Sequence, residues 1–111
     1  MVSIDQIKVR KKSRVLEISF DDGINENLEF EFLRIHSPSA EVRGHGKGQE
    51  RLQIGKQDVD LLELVPVGNY ALKLVFDDGH DTGIYMWNYL YELCVNKDEY
   101  WKIYHNKLDS I

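Results

Sequence analysis

Val15-Leu16-Glu17-Ile18-Ser19-Phe20-Asp21-Asp22-Gly23 is the stretch that decides the fold class. Leu16, Ile18 and Phe20 alternate with Glu17 and Ser19, the period-two pattern of a strand with one buried face. Asp21-Asp22-Gly23 ends the strand as a turn, with glycine free to take a positive φ. The pattern returns as Leu72-Lys73-Leu74-Val75-Phe76-Asp77-Asp78-Gly79. The echo reads as two apolar strands that end in similar turns rather than as a duplication.

Upstream, Ile7 and Val9 alternate with polar neighbours and predict a first strand. Arg10-Lys11-Lys12-Ser13-Arg14 reads as its solvated hairpin tip. Leu28, Phe30 and Phe32 predict a third strand that runs into a short helix near Leu33-Arg34. Leu52 and Ile54 suggest a further short strand. Val59 to Val65 reads as a central strand ending at Pro66. Near the C-terminus, Tyr85, Met86, Tyr89, Leu90 and Leu93 fall at helical spacing, and Trp87 and Cys94 widen that face. Asn96 and Glu99 predict a capping box for a second helix lined by Trp101, Tyr104 and Leu108. Seven of the twelve aromatic residues lie between Tyr85 and Tyr104, a spacing that points to core. The expected fold is α+β: a mostly antiparallel sheet of about five to six strands, a short mid-chain helix and two C-terminal helices. It is expected to form a single domain over residues 1–111.

The 111 residues carry a formal net charge of −5, which argues against a broad nucleic-acid footprint. The single cysteine, Cys94, excludes an intrachain disulfide and a cysteine-only zinc site. The first residues carry no signal-peptide pattern, and no apolar run has the length of a membrane span. A soluble cytoplasmic protein is expected.

Chemistry-bearing clusters are sparse. Asp77, Asp78, His80 and Asp81 gather at the end of a strand, where carboxylates and an imidazole suit a divalent metal or acid–base work. A polar turn is the plainer reading. His36, His45, His105 and Cys94 have no closed zinc spacing. Gly44-His45-Gly46-Lys47-Gly48 departs from the phosphate-loop pattern, since Gln49 follows where Ser or Thr is needed. A weak anion nest with Arg43 and Lys47 stays open. Cys94 lies on an apolar helix face, which makes a poor nucleophile. No catalytic residue is assigned and no enzymatic activity is expected.

Several strings occur together in a fixed order: Leu33-Arg34, Ser37-Pro38-Ser39-Ala40-Glu41-Val42, Gly44-His45-Gly46, Pro66-Val67-Gly68-Asn69-Tyr70-Ala71-Leu72, and Asp78-Gly79-His80-Asp81-Thr82-Gly83-Ile84-Tyr85-x-Trp87. In this order they resemble the gamma-butyrobetaine hydroxylase-like N-terminal domain family, over residues 4 to 108. The resemblance implies a small mixed domain. Members occur as free-standing bacterial proteins, as the N-terminal domain of carnitine-biosynthesis dioxygenases, and joined to P-loop ATPases that scaffold iron–sulfur clusters. The dioxygenases' iron and 2-oxoglutarate sites lie in a separate domain. Their eukaryotic versions carry a zinc on three cysteines and one histidine. That histidine matches His80, whereas the cysteines fall near Ser37, Ser39 and Val42.

The function expected is a non-catalytic accessory or protein-interaction module without a cofactor. Its partner face would comprise Arg34, Ser37, Ser39, Glu41, His45, Asp78, His80, Asp81 and Tyr85. The fusion context suggests an iron–sulfur scaffold ATPase or another metalloprotein as partner, with neither nucleic acid nor membrane. The alternative is a zinc or iron domain centred on His80. A module that binds a small molecule of the hydroxylases' substrate class ranks third.

Overall fold

Leu16, Ile18 and Phe20 are almost completely buried on strand β2 (Val15–Phe20), with exposures of 0%, 0% and 2%. The alternation seen in the sequence is thus the inside and outside of a sheet. The computed structural model describes residues 2–43 and 51–111. These residues divide into two compact units, residues 1–29 with 87–111 and residues 30–86.

The first unit holds an antiparallel meander, β1 (Ile4–Arg10), β2 and β3 (Asn25–Glu29), in the order β1-β2-β3. Leu28 of β3 stands opposite Leu16. Helices α3 (Trp87–Val95) and α4 (Lys97–Asp109) complete this unit with buried Leu90, Leu93, Cys94 and Tyr104. The Tyr91 ring meets the Phe20 ring edge-on at 5.0 Å, and its hydroxyl donates to Asp22 Oδ2 at 2.6 Å.

The second unit holds α1 (Phe30–Ile35), α2 (Ala40–Arg43) and a second meander, β4 (Leu61–Val67), β5 (Ala71–Phe76) and β6 (Ile84–Met86), in the order β4-β5-β6. The α+β class and the six strands are as expected. The strands form two separate three-stranded sheets rather than one.

The two sheets repeat each other in detail. β2 and β5 show the same burial alternation. Ile4 pairs with Phe20 and Leu61 with Phe76, and each first strand is then interrupted by a bulge, between Ile4 and Gln6 and between Leu61 and Glu63. Asp21 N donates to Ser3 O, and Asp77 N to Asp60 O, both at 2.9 Å. Both Asp-Asp-Gly turns place glycine at positive φ, 93° at Gly23 and 87° at Gly79. In each, the second aspartate accepts from the backbone N–H two residues on, Ile24 or His80. The echo therefore marks a repeated strand–strand–strand–helix element. Each unit combines the sheet of one repeat with the helix that follows the other.

Five local expectations change. Phe30 and Phe32 belong to α1, not to a strand, because Phe30, Phe32, Leu33, Arg34 and Ile35 are all buried and a helix hides side chains all round. Tyr85 and Met86 form β6, and the helix starts at Trp87. β4 is an edge strand, where Pro66 costs the sheet no ladder bond. Leu52 and Ile54 form no strand. Arg51 N instead donates to Val42 O, and Gln53 is drawn to Arg34. The capping box is also absent: Asn96 makes no side-chain cap and turns its Nδ2 back to Glu92 O at 2.9 Å. No helix of the described residues is long and apolar enough to cross a membrane.

Ile18→Ala is expected to lower the unfolding free energy by about 2–5 kcal/mol in urea titration, whereas Glu17→Ala, on the outer face, should cost less than about 1 kcal/mol. Similar losses for the two would contradict the assigned faces.

Candidate functional site

Strand β5 ends at Phe76, and the Asp77-Asp78-Gly79 turn sends the two carboxylates to different tasks. Asp77 Oδ1 accepts from Asp60 N at 2.9 Å and fixes the turn to the strand-entry loop. Asp78 faces α1. Arg34 Nε donates to Asp78 Oδ2 at 2.9 Å, and Lys56 Nζ reaches the same oxygen at 2.7 Å. Arg34 Nη1 donates to Gln53 Oε1 at 3.2 Å.

Arg34 is only 6% exposed. A guanidinium there is tolerable only with a charged partner and further acceptors. Burial pushes the Asp78 carboxyl upward, but the Lys56 ammonium, the His80 N–H and Arg34 together outweigh it and hold it at about 2.

His80 follows the turn and is 5% exposed. Its Nδ1 lies 3.3 Å from Glu41 Oε2 and its Nε2 lies 2.8 Å from Ser37 Oγ. A carboxylate only accepts, so Nδ1 carries the proton, and Nε2 accepts from the Ser37 hydroxyl. Ser39 Oγ stands 3.4 Å from the same nitrogen. Burial lowers the His80 pKa and the Arg34 charge adds to this, against the pull of Glu41 and Asp78. The imidazole is neutral and held at both ends.

Gly83 closes this pocket of contacts. A Cβ built there would fall on Ser37 Oγ, with Tyr85 Cε1 at 3.1 Å. Tyr85 is fully buried, and its hydroxyl donates to Leu33 O at 2.5 Å. Thr82 Oγ1 donates to Glu41 Oε1 at 3.3 Å.

Of the expected site residues, Arg34, Ser37, Ser39, Glu41, Asp78 and His80 form one linked cluster. Tyr85 supports it from β6. Asp81 lies exposed beside it. His45 and the glycine-rich nest lie outside the described residues. Lys56 and Gln53 are participants that no sequence spacing singled out, whereas Thr82 and Gly83 lie in the string over residues 78–85 that carries the resemblance. Lys56 stands 22 residues from Asp78, and nothing local in the chain links the two.

The structure also tests the fit of zinc. The zinc that the resemblance implies would take three thiolates and an imidazole, and here Ser37 and Ser39 hydroxyls face His80 Nε2. Neutral hydroxyls are poor zinc donors, and the imidazole lone pair already accepts a hydrogen bond. This donor set does not fit a structural zinc. Among the described residues, no three His, Cys, Asp or Glu side chains are grouped to hold a metal. Cys94 belongs to the other unit, and burial pushes its thiol up to about 12, far from a reactive thiolate.

Gly83→Ala is expected to cost about 1–3 kcal/mol in chemical denaturation, because the methyl displaces Ser37. Wild-type stability would show that the Ser37 loop yields freely. The pH dependence has a fixed sign. The folded state keeps His80 neutral, so its contribution is complete above the ordinary value of 6.5 and declines as pH falls below it. The Asp78 contribution holds above the ordinary 3.8 and is lost as pH falls towards about 2. His80→Gln should flatten the first of these slopes in denaturation curves taken across pH 5–7, and an unchanged slope would contradict the assignment.

The family model described as gamma-butyrobetaine hydroxylase-like, N-terminal, matches residues 7–91. Two proteins with solution NMR structures are similar over 99% of this chain. One is 47% identical, with a TM-score of 0.85 and 86% of its own length covered. The other is 48% identical, with a TM-score of 0.84 and 82% covered. A crystal structure of a DUF971-family protein of unknown function from Acidithiobacillus ferrooxidans ATCC 23270 is 40% identical. It covers 82% of this chain and 91% of its own, with a TM-score of 0.69. Comparison with curated proteins finds no match. The chain belongs to the gamma-butyrobetaine hydroxylase-like N-terminal family.

Proposed function

We propose that this member of the gamma-butyrobetaine hydroxylase-like N-terminal family is a non-catalytic protein-interaction module of the cytoplasm. The observation that carries the reading is the division of labour around His80. Arg34, Ser37, Ser39, His80 and Tyr85 are buried, and their polar groups are satisfied within the second unit. They hold two surface segments in place, α2 and the turn after β5. Glu41 and Asp81 bring those segments to solvent as an acidic rim, while the Asp78 charge is taken up by Arg34 and Lys56. Such a surface suits recognition, since its shape is fixed before a partner arrives.

Nothing in the cluster is poised for chemistry. The Asp78 carboxylate is neutralised by two cations, and the one hydroxyl that donates to the imidazole, Ser37 Oγ, is 1% exposed and shut away from any substrate. Partner recognition therefore accounts for the site better than turnover does. The domain fusions of the family favour an iron–sulfur scaffold ATPase, or another metalloprotein, as the partner. The charge of the rim calls for a basic contact patch on that partner.

The test is direct binding of the purified full chain to a purified iron–sulfur scaffold ATPase, followed by calorimetry. Glu41→Lys with Asp81→Lys should weaken binding about tenfold or more by placing like charges against the partner. The double variant should keep its circular dichroism spectrum. Unchanged affinity in the folded double variant would overturn the assigned face, and the absence of any complex with the wild-type chain would overturn the partner class.

A further inference from the structure

The two sheets share strand order, register and bulge positions, so each serves as a control for the other. Their inner faces match. Their outer faces differ.

In the first sheet, one outer row runs Lys8–Glu17–Asn27 and the next runs Arg10–Val15–Glu29. Val15 is buried at the middle of the second row, and the other five are the polar side chains of a solvated face. The same positions in the second sheet read Val65–Lys73–Ile84 and Val67–Ala71–Met86. Ala71 is buried like its twin Val15, and of the other five all but Lys73 are apolar. Ile84 is 45% exposed and Met86 51% exposed, so part of an apolar face stands in water on a scaffold whose twin carries the polar Asn27 and Glu29 there. Apolar patches of this kind mark interaction surfaces.

Lys73 lies at the middle of the apolar rows, half-buried. Its ammonium makes no ion pair or side-chain hydrogen bond among the described residues. Glu63, one pair further along opposite Val75, does not reach it. A cation set among valine and isoleucine side chains gains most from a carboxylate that arrives with an apolar surround.

From this face we infer a second docking surface, for a protein partner whose contact patch is apolar and centred on an aspartate or glutamate. It uses residues distinct from the Glu41–Asp81 rim and does not depend on that reading. A second copy of the chain fits less well. Two-fold pairing through this face would bring the two Lys73 side chains towards each other at its centre.

The experiment uses the full chain labelled with ¹⁵N and two soluble valine- and leucine-rich peptides, identical except for a central Asp or Lys. The Asp peptide should shift the amides of Lys73, Ile84 and Met86, and it should bind about tenfold more tightly than the Lys peptide. Lys73→Glu, which installs the residue type of the twin position Glu17, should reverse that order. Ile84→Asn, copying Asn27, should weaken both peptides while leaving the thermal melt in place. Equal affinities, shifts confined to other residues, or no binding would overturn the proposal. So would a dimer in sedimentation equilibrium that Met86→Asp dissociates.

Discussion

The pairing of Arg34 with Asp78 is the constraint on which the second unit depends. A buried guanidinium cannot shed its charge, so the carboxylate must be delivered to it. Delivery fixes the turn after β5, because Asp78 also accepts the His80 N–H. The turn then sets the imidazole facing Ser37, and Ser37 tolerates only a glycine at position 83. A chain of single contacts thus runs from α1 through the turn to α2 and the start of β6. The first unit has the same architecture with different chemistry. There Asp22 receives a neutral Tyr91 hydroxyl at the helix position that Arg34 occupies in α1. The twin turn carries an exposed aspartate, and no buried cation depends on it.

This difference gives the second unit its character. Buried polar networks specify one arrangement when every member is satisfied. Here the histidine is held by two hydroxyls and a carboxylate. The fastening is sensitive to pH, because a neutral imidazole is part of it.

The sequence made some of this legible and hid the rest for physical reasons. β2 and β5 announce themselves because each buries one face and alternates cleanly. α1 does not, since Leu28, Phe30 and Phe32 mimic a strand when every neighbour is also destined for burial. Tyr85 is ambiguous in the same way, with a strand and a helix meeting at Trp87. The Asp-Asp-Gly echo was visible as spelling, but its meaning lay in bulges and pairings that no spelling shows. The cluster of Arg34, Ser37, Ser39, Asp78 and His80 came from the resemblance to a family. Lys56 and Gln53 were invisible, since long-range ion pairs leave no periodic trace. The contrast between the two outer faces emerges only when register equates Lys73 with Glu17 and Ile84 with Asn27.

The central claim is that His80 is a neutral imidazole, protonated on Nδ1 towards Glu41 and accepting from Ser37 on Nε2. Long-range proton–nitrogen correlation of the histidine side chains at neutral pH reads this directly. The account predicts a protonated Nδ1 and an unprotonated, hydrogen-bonded Nε2 for His80, with Ser37→Ala altering the Nε2 signal and leaving the tautomer in place. A protonated Nε2, or an imidazolium at neutral pH, would contradict it.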